Sequence, residues 1–554
     1  MSRKINRAAP NNLSYEINAP QKAIYRIQAE SDENRTEFLK NTFVQYFGDG
    51  IQKNPEAFRS RFRKMSATPF NFYRGSAVLF YQDLKVDKDP YIAKNHAAGQ
   101  IFIHGDLHAQ NFGTYLNCDG ILNFDVNDFD ESYLGPFTWD VKRLMASLNV
   151  LCYSKGFSDD EIKQILHVCV DSYIKQVNEF CKQSKDRFAL TLKNTSGQIK
   201  RLLNETRIKS HVELLNSMTC IENYNRRFIR SKYVQNVDKD LSAQLMNAFQ
   251  QYLDSIPENK KYSDRGYNNG EVTYNIKDIV QCSSPGIGSA GKISYQFLIE
   301  GRTETLENDI ILYMKPAQKS AVSYVVHSEQ LAKYFKHDGV RTVLCSYAMQ
   351  ASTPRWLGYT QLNSVPCMVD SITAHAVDLD WKDINDLNDI LEVVQYLGRA
   401  TAKIHCVADS DCVNTPKEVE CLPFSIIPRD TEKAIRAAVE GQVNEFIDDM
   451  IEFGMVYGEL VRRDHSLFFE AFPIRYQYMG LSTLLDIGLT VYEAYDDGLF
   501  DGFLDRVADR YPTLYNFDSL PLFDRHLPTI GGFNPRSLLG SEFPMFQRSQ
   551  YGLF

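Results

Sequence analysis

The loop 104–111, with the sequence HGDLHAQN, holds the side chains of this 554-residue chain that are best suited to chemistry. Transfer of a phosphoryl group requires a carboxylate that orients or deprotonates the attacking hydroxyl, and oxygen ligands that hold Mg²⁺ on the nucleotide phosphates. An Asp followed five residues later by an Asn supplies both from one turn. The pattern predicts Asp106 as the catalytic base and Asn111 as a metal ligand, with His104 in a supporting role.

A cluster of acidic side chains follows this loop after one predicted hairpin. It lies in the segment 123–131, NFDVNDFDE, directly after a predicted strand. The hairpin would return the cluster to the neighbourhood of Asn111. Asp128 is therefore predicted to be the second metal ligand, and Asp125 and Asp130 are the rival candidates.

Two further residues are assigned supporting roles. Asp140, in GPFTWD, begins a predicted helix, and in small-molecule kinases an Asp at about this distance hydrogen-bonds the catalytic loop. Arg74, in FYRG, is interpreted either as a structural cation or as a contact to a phosphate or carboxylate. His405, in a later predicted helix, is interpreted as a packed histidine.

A glycine-rich segment, GIGSAG, lies far downstream at 286–291 and matches the pattern G-x-G-x-x-G. In a dinucleotide-binding turn a helix would follow, whereas here an alternating, strand-like segment follows, as in the phosphate-covering hairpin of kinases. The next predicted strand ends in LYMK, whose lysine would hold the ATP phosphates and must then lie near Asp106 and Asp128. The predicted nucleotide-binding residues are Gly286, Gly288, Ser289, Gly291, Lys315 and Glu329, the last as the ionic partner of Lys315.

One competing chemistry uses the same loop. His104, Asp106 and His108 alternate, so on a strand they would face one metal ion, as in a binuclear hydrolase. The chain has only 11 histidines, and further ligands are hard to find among them. This alternative therefore ranks below phosphoryl transfer.

Composition restricts the class of protein. Hydrophobic residues make up 44% of the chain, which indicates a globular protein, and the net charge of −9 lacks the basic footprint of a nucleic-acid-binding protein. The 11 cysteines include no C-x-x-C pair and are interpreted as free thiols in a reducing compartment. No apolar stretch approaches the ~18 residues of a membrane-spanning helix, and the first residues lack a signal-peptide core. A cytoplasmic protein without a membrane span is expected.

The elements that position these residues are predicted to form five segments. They are an N-terminal arm (1–30), a helical part with the catalytic loop (31–270), a small sheet with one helix (271–380), a second helical part (381–475) and a C-terminal extension (476–554). Within them, the polar stretch 257–270 is predicted to be a linker, 317–336 a helix and Val340–Met349 a strand.

Four segments together resemble a known family. In order they are RKMSATPFNFYRG, HGDLHAQNFG, LNFDVNDFDESYLGPFTWDVKRLMAS and GIGSAGKISYQFLIEG. They look like the bacterial family catalogued as domain of unknown function 2252, from about Arg61 to about His465. The chain departs from the family pattern on the nucleotide side, at Pro316, Ser346, Tyr347, Asp370 and Thr373.

That family resembles aminoglycoside and choline-type kinases at the H-G-D-x-x-x-x-N loop, except that the catalytic loop precedes the glycine-rich loop. The resemblance implies an α+β, bilobal, circularly permuted protein kinase-like fold with a large helical lobe and a small antiparallel-sheet lobe. Helix 384–405 should then pack beside the catalytic loop. The implied cofactors are ATP and Mg²⁺, and the implied acceptor is a hydroxyl of an unknown small molecule or protein. AMP transfer from reversed ATP and a non-catalytic nucleotide-binding module remain alternatives.

Overall fold

The computed structural model describes residues 23–85, 88–183, 188–257, 260–261, 274–283, 293–350, 352–407, 409 and 426–472. Several predicted segments therefore lie outside the described residues. They are the glycine-rich segment 286–291, most of the linker 257–270, most of the N-terminal arm and the C-terminal extension 476–554.

The helices of the described part are α1 (Ala23–Gln28), α2 (Asp32–Lys53), α3 (Pro55–Met65), α4 (Pro69–Gly75), α5 (Ala77–Leu84), α6 (Pro90–Lys94), α7 (Phe137–Ser154), α8 (Asp159–Phe180), α9 (Gly197–Arg207), α10 (His211–Met218), α11 (Lys239–Ser255), α12 (Glu329–Phe335), α13 (Asp338–Met349), α14 (Leu387–Cys406), α15 (Thr431–Val439) and α16 (Val443–Ala471).

The strands are β1 (Ile101–Ile103), β2 (Phe112–Leu116), β3 (Leu122–Val126), β4 (Tyr133–Gly135), β5 (Thr219–Glu222), β6 (Asn225–Phe228), β7 (Val234–Asn236), β8 (Ile276–Ser283), β9 (Ile293–Ile299), β10 (Ile310–Pro316), β11 (Gly358–Leu362), β12 (Val365–Ile372) and β13 (Val377–Asp378). All pairings between these strands are antiparallel, so the predicted α+β class with antiparallel sheets is confirmed.

The large core lies among helices, with α14 packed along α8 and α16 packed along α7. Helix α14 forms because its apolar residues recur with helical spacing and bury one face. These residues are Ile390, Val393, Val394, Leu397, Ala400 and Ile404. The approach of α14 to α8 is so close that a Cβ on Gly398 would lie 2.3 Å from the backbone oxygen of Cys169. The helix predicted at 384–405 is confirmed.

The second layer is a six-stranded sheet in the order β11-β12-β10-β9-β8-β7. Successive side chains of β10 point to opposite faces of the sheet, and both faces are covered. Leu312 and Met314 join the cluster under α11, whereas Ile311 packs in the cluster that contains Leu298 on the neighbouring β9. Because β7 and α11 precede residue 271, the sheet draws a strand and a helix from before that predicted boundary.

The prediction that Val340–Met349 is a strand was wrong. These residues form most of α13, whose N-terminus is capped by the side chain of His337 at 3.3 Å from the backbone nitrogen of Val340. Ten of the twelve residues of α13 are buried. A helix that is buried on nearly every side shows no amphipathic period, so its short apolar run is typical of a strand as well.

The two layers meet where the chain returns from the six-stranded sheet. Strand β13 pairs with β2, in register Val377 to Thr114, and completes the three-stranded sheet β13-β2-β3. The chain then enters α14. This helix contacts β1, which directly precedes the loop 104–111, and β3, the second strand after it. The helix predicted to lie beside that loop does so. In the described part of the chain, no helix has the length and apolarity needed to cross a bilayer.

Candidate functional site

Asp106 lies in the loop between β1 and β2 and is 18% exposed. Its Oδ1 accepts a hydrogen bond from Nε of Arg143 at 2.8 Å and another from Nη2 of the same residue. Arg143 lies on α7 and is completely buried. The side-chain nitrogen of Asn111 donates to the backbone oxygen of Asp106 at 2.8 Å, so its amide oxygen is the end that remains for a ligand.

Asp140 makes the contact that the sequence predicted for it. In the first turn of α7, its carboxylate accepts from the backbone nitrogens of His104 at 2.6 Å and Gly105 at 3.0 Å. His405 on α14 lies 3.1 Å from the same carboxylate. Burial opposes ionisation, but the hydrogen bond and charge of His405, together with His104, hold the pKa of Asp140 below its ordinary value.

Gly105 is required by the backbone of the loop. Its φ is +81°, and a Cβ there would lie 2.2 Å from the backbone oxygen of Glu131. Its own carbonyl accepts from the hydroxyl of Tyr81 at 2.5 Å. Further along the loop, the backbone oxygen of Ala109 accepts from Nε1 of Trp381 at 2.8 Å. Side chains from separate parts of the chain therefore fix the loop before any ligand binds.

The two loop histidines are engaged within the protein. Nδ1 of His104 accepts from the backbone nitrogen of Asp106 at 3.3 Å, so Nε2 carries the proton and donates to the backbone oxygen of Asn127 at 2.8 Å. Nδ1 of His108 accepts from the backbone nitrogen of Gln110, and burial, then the charges of Arg74 and Arg143, place its pKa well below the ordinary value.

These contacts count against the binuclear hydrolase alternative, because both nitrogens of His104 are already occupied. Among the residues that the structure describes, no group of three or more His, Cys, Asp or Glu side chains is arranged to hold a metal ion.

Lys315, on β10, lies against the acidic segment that follows β3. Its Nζ donates to Oδ2 of Asp130 at 2.8 Å and lies 3.9 Å from Oδ1 of Asp128. Asp130 is nearly buried, whereas 57% of the Asp128 side chain is exposed. Burial would lower the pKa of Lys315, but the charges of Asp130 and Asp128 raise it above the ordinary value. The structure thus brings together a lysine and two acids that are far apart in the sequence.

Asp128 has an exposed side chain and a left-handed backbone conformation. Its φ is 59°, in the left-handed region, at the turn into the 3₁₀ helix Phe129–Glu131. Partial loss of hydration around its carboxylate, followed by the charge of Asp130, raises the pKa of Asp128 above its ordinary value. A cation beside these two acids would relieve that repulsion, which is the role that Lys315 has here.

Asp125, the other rival metal ligand, has a different role. Its carboxylate pairs with Nζ of Lys403 on α14, and each side chain is only 4% exposed. Lys403 also donates to the backbone oxygen of Met349 at 2.8 Å. Burial raises the pKa of Asp125 against the effect of the lysine. This pair joins β3 to α14 and leaves Asp128 and Asp130 as the acids suited to a metal.

The prediction that Glu329 pairs with Lys315 was wrong. Glu329 is exposed in the first turn of α12, and the acids that Lys315 contacts are Asp130 and Asp128. The prediction assumed one helix directly after β10. Instead the chain first forms a 3₁₀ turn, Ala321–Tyr324, and α12 begins only afterwards.

The helix that does contact the acidic segment is α13, through a buried arginine that was not predicted from the sequence. Arg341 donates to the backbone oxygens of Asp130 at 2.8 Å, Ser132 at 2.6 Å and Gln318 at 2.6 Å. Arg143 was missed as well. Its signal was the spacing from Asp140, since residues three apart on a helix lie on one face.

Arg74 lies beside the loop 104–111. Its Nη1 donates to Oε1 of Gln110 at 2.7 Å. The glycine-rich residues Gly286, Gly288, Ser289 and Gly291 lie outside the described residues.

The donors present suit Mg²⁺. This ion binds hard oxygen ligands and is usually held by one or two carboxylates together with substrate phosphates. The amide oxygen of Asn111 and the carboxylates of Asp128 and Asp130 are such donors, and Lys315 beside them suits a phosphate oxygen.

Comparison with known proteins gives one match. Neither a curated protein nor a solved structure matches the chain. A family model described as an uncharacterised protein conserved in bacteria, domain of unknown function 2252, matches residues 53–471. This range contains Asp106, Asn111, Asp128, Asp140 and Lys315. Because the match spans most of the chain, the protein belongs to the bacterial family DUF2252.

Proposed function

We propose that the protein is an ATP- and Mg²⁺-dependent phosphotransferase that acts on a hydroxyl group. The observation that carries this proposal is the contact of Lys315 with Asp128 and Asp130 beside the loop of Asp106. A phosphate-binding lysine, acidic metal ligands and a catalytic carboxylate are the parts that phosphoryl transfer requires. Here they come from separate layers of the fold and lie around one place.

Asp106 is assigned the task of orienting the acceptor hydroxyl and taking its proton. Both donors of Arg143 bind Oδ1, which leaves Oδ2 for the acceptor, 3.9 Å from Nε2 of His108. The rigid support of the loop by Asp140 suits a reaction in which most of the catalysis is positioning.

Mg²⁺ would be held by Asn111, Asp128 and Asp130. When bound, it would neutralise the negative charge on the phosphoryl group that is transferred. Lys315 now neutralises the two acids, and it is positioned to exchange this contact for the nucleotide phosphates. The charges remain balanced in such an exchange, because a metal ion would replace the ammonium group beside Asp128 and Asp130.

The order of elements supports a circularly permuted kinase-like scaffold. In an ordinary kinase the glycine-rich loop precedes the strand with the lysine, and the catalytic loop comes later. In this chain β8, β9, β10 with Lys315, and α13 follow one another in that ordinary order, but the catalytic loop precedes all of them. Strand β13 then returns to pair with β2, directly after the loop.

The test combines binding and turnover. Calorimetry should detect ATP binding that depends on Mg²⁺ and is lost in Lys315→Ala, while Lys333→Ala, an exposed lysine on α12, keeps it. Transfer of label from γ-labelled ATP should fall by about 10²- to 10⁴-fold in Asp106→Asn. Glu329→Gln, an exposed acid, should leave transfer unchanged. The absence of Mg²⁺-dependent ATP binding would sink the proposal, and transfer of α-label alone would replace it with AMP transfer.

A further inference from the structure

Buried arginines in this protein have carboxylate partners. Arg35 lies 2.8 Å from Asp83 and 2.6 Å from Asp464. Arg143 pairs with Asp106 in the same way, and Arg341 lies 3.0 Å from Asp338. Such pairing is the rule, because a guanidinium that leaves water without an anion loses a large solvation free energy.

Arg61, on α3, is partly buried and departs from this rule. Its Nη2 donates to the backbone oxygen of Gly75 at 3.0 Å, and its guanidinium lies 4.5 Å from the ring centre of Phe47. Its Nε is buried without a hydrogen-bond partner. Within the described part of the chain, Arg61 has no carboxylate at salt-bridge distance.

The electrostatic surroundings of Arg61 agree with this geometry. Burial lowers its pKa to about 10, against the opposing charges of Glu131 and Asp106. These two acids are near but already engaged, since Asp106 binds Arg143 and Glu131 accepts from the backbone nitrogen of Ala321. Arg61 therefore carries a positive charge that the nearby side chains do not fully balance.

Arg61 is also joined to the catalytic loop. The carbonyl that holds it belongs to Gly75, and the preceding residue, Arg74, donates to Gln110 within the loop. Arg143 binds Asp106 itself, and its own Nη1 is buried without a hydrogen-bond partner. Three arginines from three helices are thus linked to the loop: Arg143 binds Asp106, Arg74 binds Gln110, and Arg61 binds the residue after Arg74.

We propose that Arg61 and Arg74 bind an anionic group of the acceptor, a phosphate or a carboxylate, next to the hydroxyl that Asp106 orients. This inference rests on the proposed phosphotransferase function and names the class of its acceptor. Arginine suits the task because its planar fork of donors matches the oxygens of phosphate and carboxylate. The oxygens of the anion would satisfy the unpartnered Nε of Arg61 and balance its charge.

The test uses matched hydroxyl compounds, namely glycerol, glycerol 3-phosphate, glycerate and choline, each titrated by calorimetry into the protein without nucleotide. At least one of the two anionic compounds should bind about ten- to hundredfold more tightly than glycerol, and choline should bind no better than glycerol. Which anionic compound binds better separates a phosphate site from a carboxylate site. If neither anion binds more tightly than glycerol, the proposal is overturned.

The variants assign the preference to Arg61. Arg61→Ala should lose the preference, and Arg59→Ala, an exposed arginine on the same helix, should keep it. Arg61→Lys keeps the charge without the fork and should show an intermediate preference, which maintains the test if Arg61→Ala does not fold. A preference that is unchanged in both Arg61 variants would overturn the proposal.

Failure of the proposed function gives a different result. If the wild type does not bind ATP in the presence of Mg²⁺, the proposed phosphoryl transfer is overturned. A preference for anions that depends on Arg61 could still be observed in that case, so the two failures are distinguishable. Conversely, transfer that depends on Asp106, with neutral acceptors used as well as anionic ones, would keep the function and overturn the anionic acceptor.

Discussion

Single side chains fix the candidate site through contacts with the backbone of the loop. The carboxylate of Asp140 accepts two consecutive backbone N–H groups, those of His104 and Gly105, in a place that is closed to water. An N–H group that is buried without an acceptor costs free energy. Asp140 therefore stabilises the loop conformation that presents Asp106, although it touches no reacting atom.

Replacing Asp140 with Asn should destabilise the protein by about 2–3 kcal/mol at pH 7, because the amide NH₂ cannot accept from a backbone N–H. The folded-state pKa of Asp140 is lowered, so its contribution is present above the unfolded-state value of about 3.9 and is lost as the pH falls further. Below about pH 4 the free energy of unfolding should fall more steeply for wild type than for Asp140→Asn.

Urea unfolding between pH 3 and pH 7 measures both effects. Asp160→Asn serves as the control, since the Asp160 side chain is 96% exposed and forms only a surface pair with Lys163. Equal stability of Asp140→Asn and wild type at pH 7 would show that the loop does not depend on this carboxylate.

At the scale of elements, the segment after β10 is joined to the acidic segment after β3. The hydroxyl of Ser320 donates to the backbone oxygen of Glu131 at 2.6 Å, and the backbone nitrogen of Ala321 donates to the Glu131 carboxylate. Arg341 completes the junction from α13. The segment after β10 and the acidic segment after β3 are thus held together, and Arg341 donates hydrogen bonds to both.

Replacing Arg341 with Met should open this junction, because three buried carbonyl groups lose their donor. We expect a loss of at least about 3 kcal/mol in stability, since each of the three buried carbonyl groups left unpaired costs about 1–3 kcal/mol. Hydrogen exchange should accelerate together in β10 and in the segment 128–132, and α8 should keep its protection. The exposed Arg302, changed to Ala, is the control. Acceleration in β10 alone would contradict a joined unit.

The elements also show what the sequence could and could not predict. The contact of Asp140 with the loop 104–111 could be predicted because the loop and the start of the helix are local patterns with a definite spacing. The partner of Lys315 could not be predicted, because the first acid after it along the chain, Glu329, belongs to a short helix and is exposed. Likewise, nothing in the local pattern of Asp125 indicates that α14 would place Lys403 against it. Such pairs are set by packing between distant elements.

The fold as a whole shows the same limit. The alternating pattern of β9 and the apolar period of α14 predicted their structures correctly. Helix α13 was misread because it is buried on nearly every side. The order of parts was readable from the positions of the motifs alone, whereas the pairing of β13 with β2 could be seen only in three dimensions.

At the scale of the whole molecule, one buried cluster joins the two ends of the described chain. Arg35 on α2 makes two hydrogen bonds to Asp83 on α5, both 2.8 Å, and two to Asp464 on α16, at 2.9 and 2.6 Å. The hydroxyl of Tyr457 also donates to Asp83 at 2.8 Å. Arg35 precedes the family match at 53–471, so the central residue of this buried cluster lies outside the matched range.

The two kinds of charge in this cluster respond to burial differently. Burial tends to lower the pKa of Arg35, but Asp83 and Asp464 raise it well above its ordinary value. Burial raises the pKa of Asp464 to about 6 despite the arginine. An acid whose folded-state pKa is raised favours folding most below the unfolded-state value, about 3.9, and this advantage is lost as the pH rises through about 6.

Replacing Arg35 with Met should therefore destabilise the protein by about 3–5 kcal/mol at pH 8, because two buried carboxylates lose their cation. The loss should be smaller at pH 5, because Asp464 is then protonated and its buried carboxyl group carries no charge. Urea unfolding at both pH values measures the difference, with Arg436→Ala, which removes an exposed arginine on α15, as the surface control. Adding Asp83→Asn and Asp464→Asn to Arg35→Met should recover part of the stability at pH 8, since no buried charge would remain. A loss that is independent of pH and is not relieved by these substitutions would mean that Arg35 acts through packing and not through its charge.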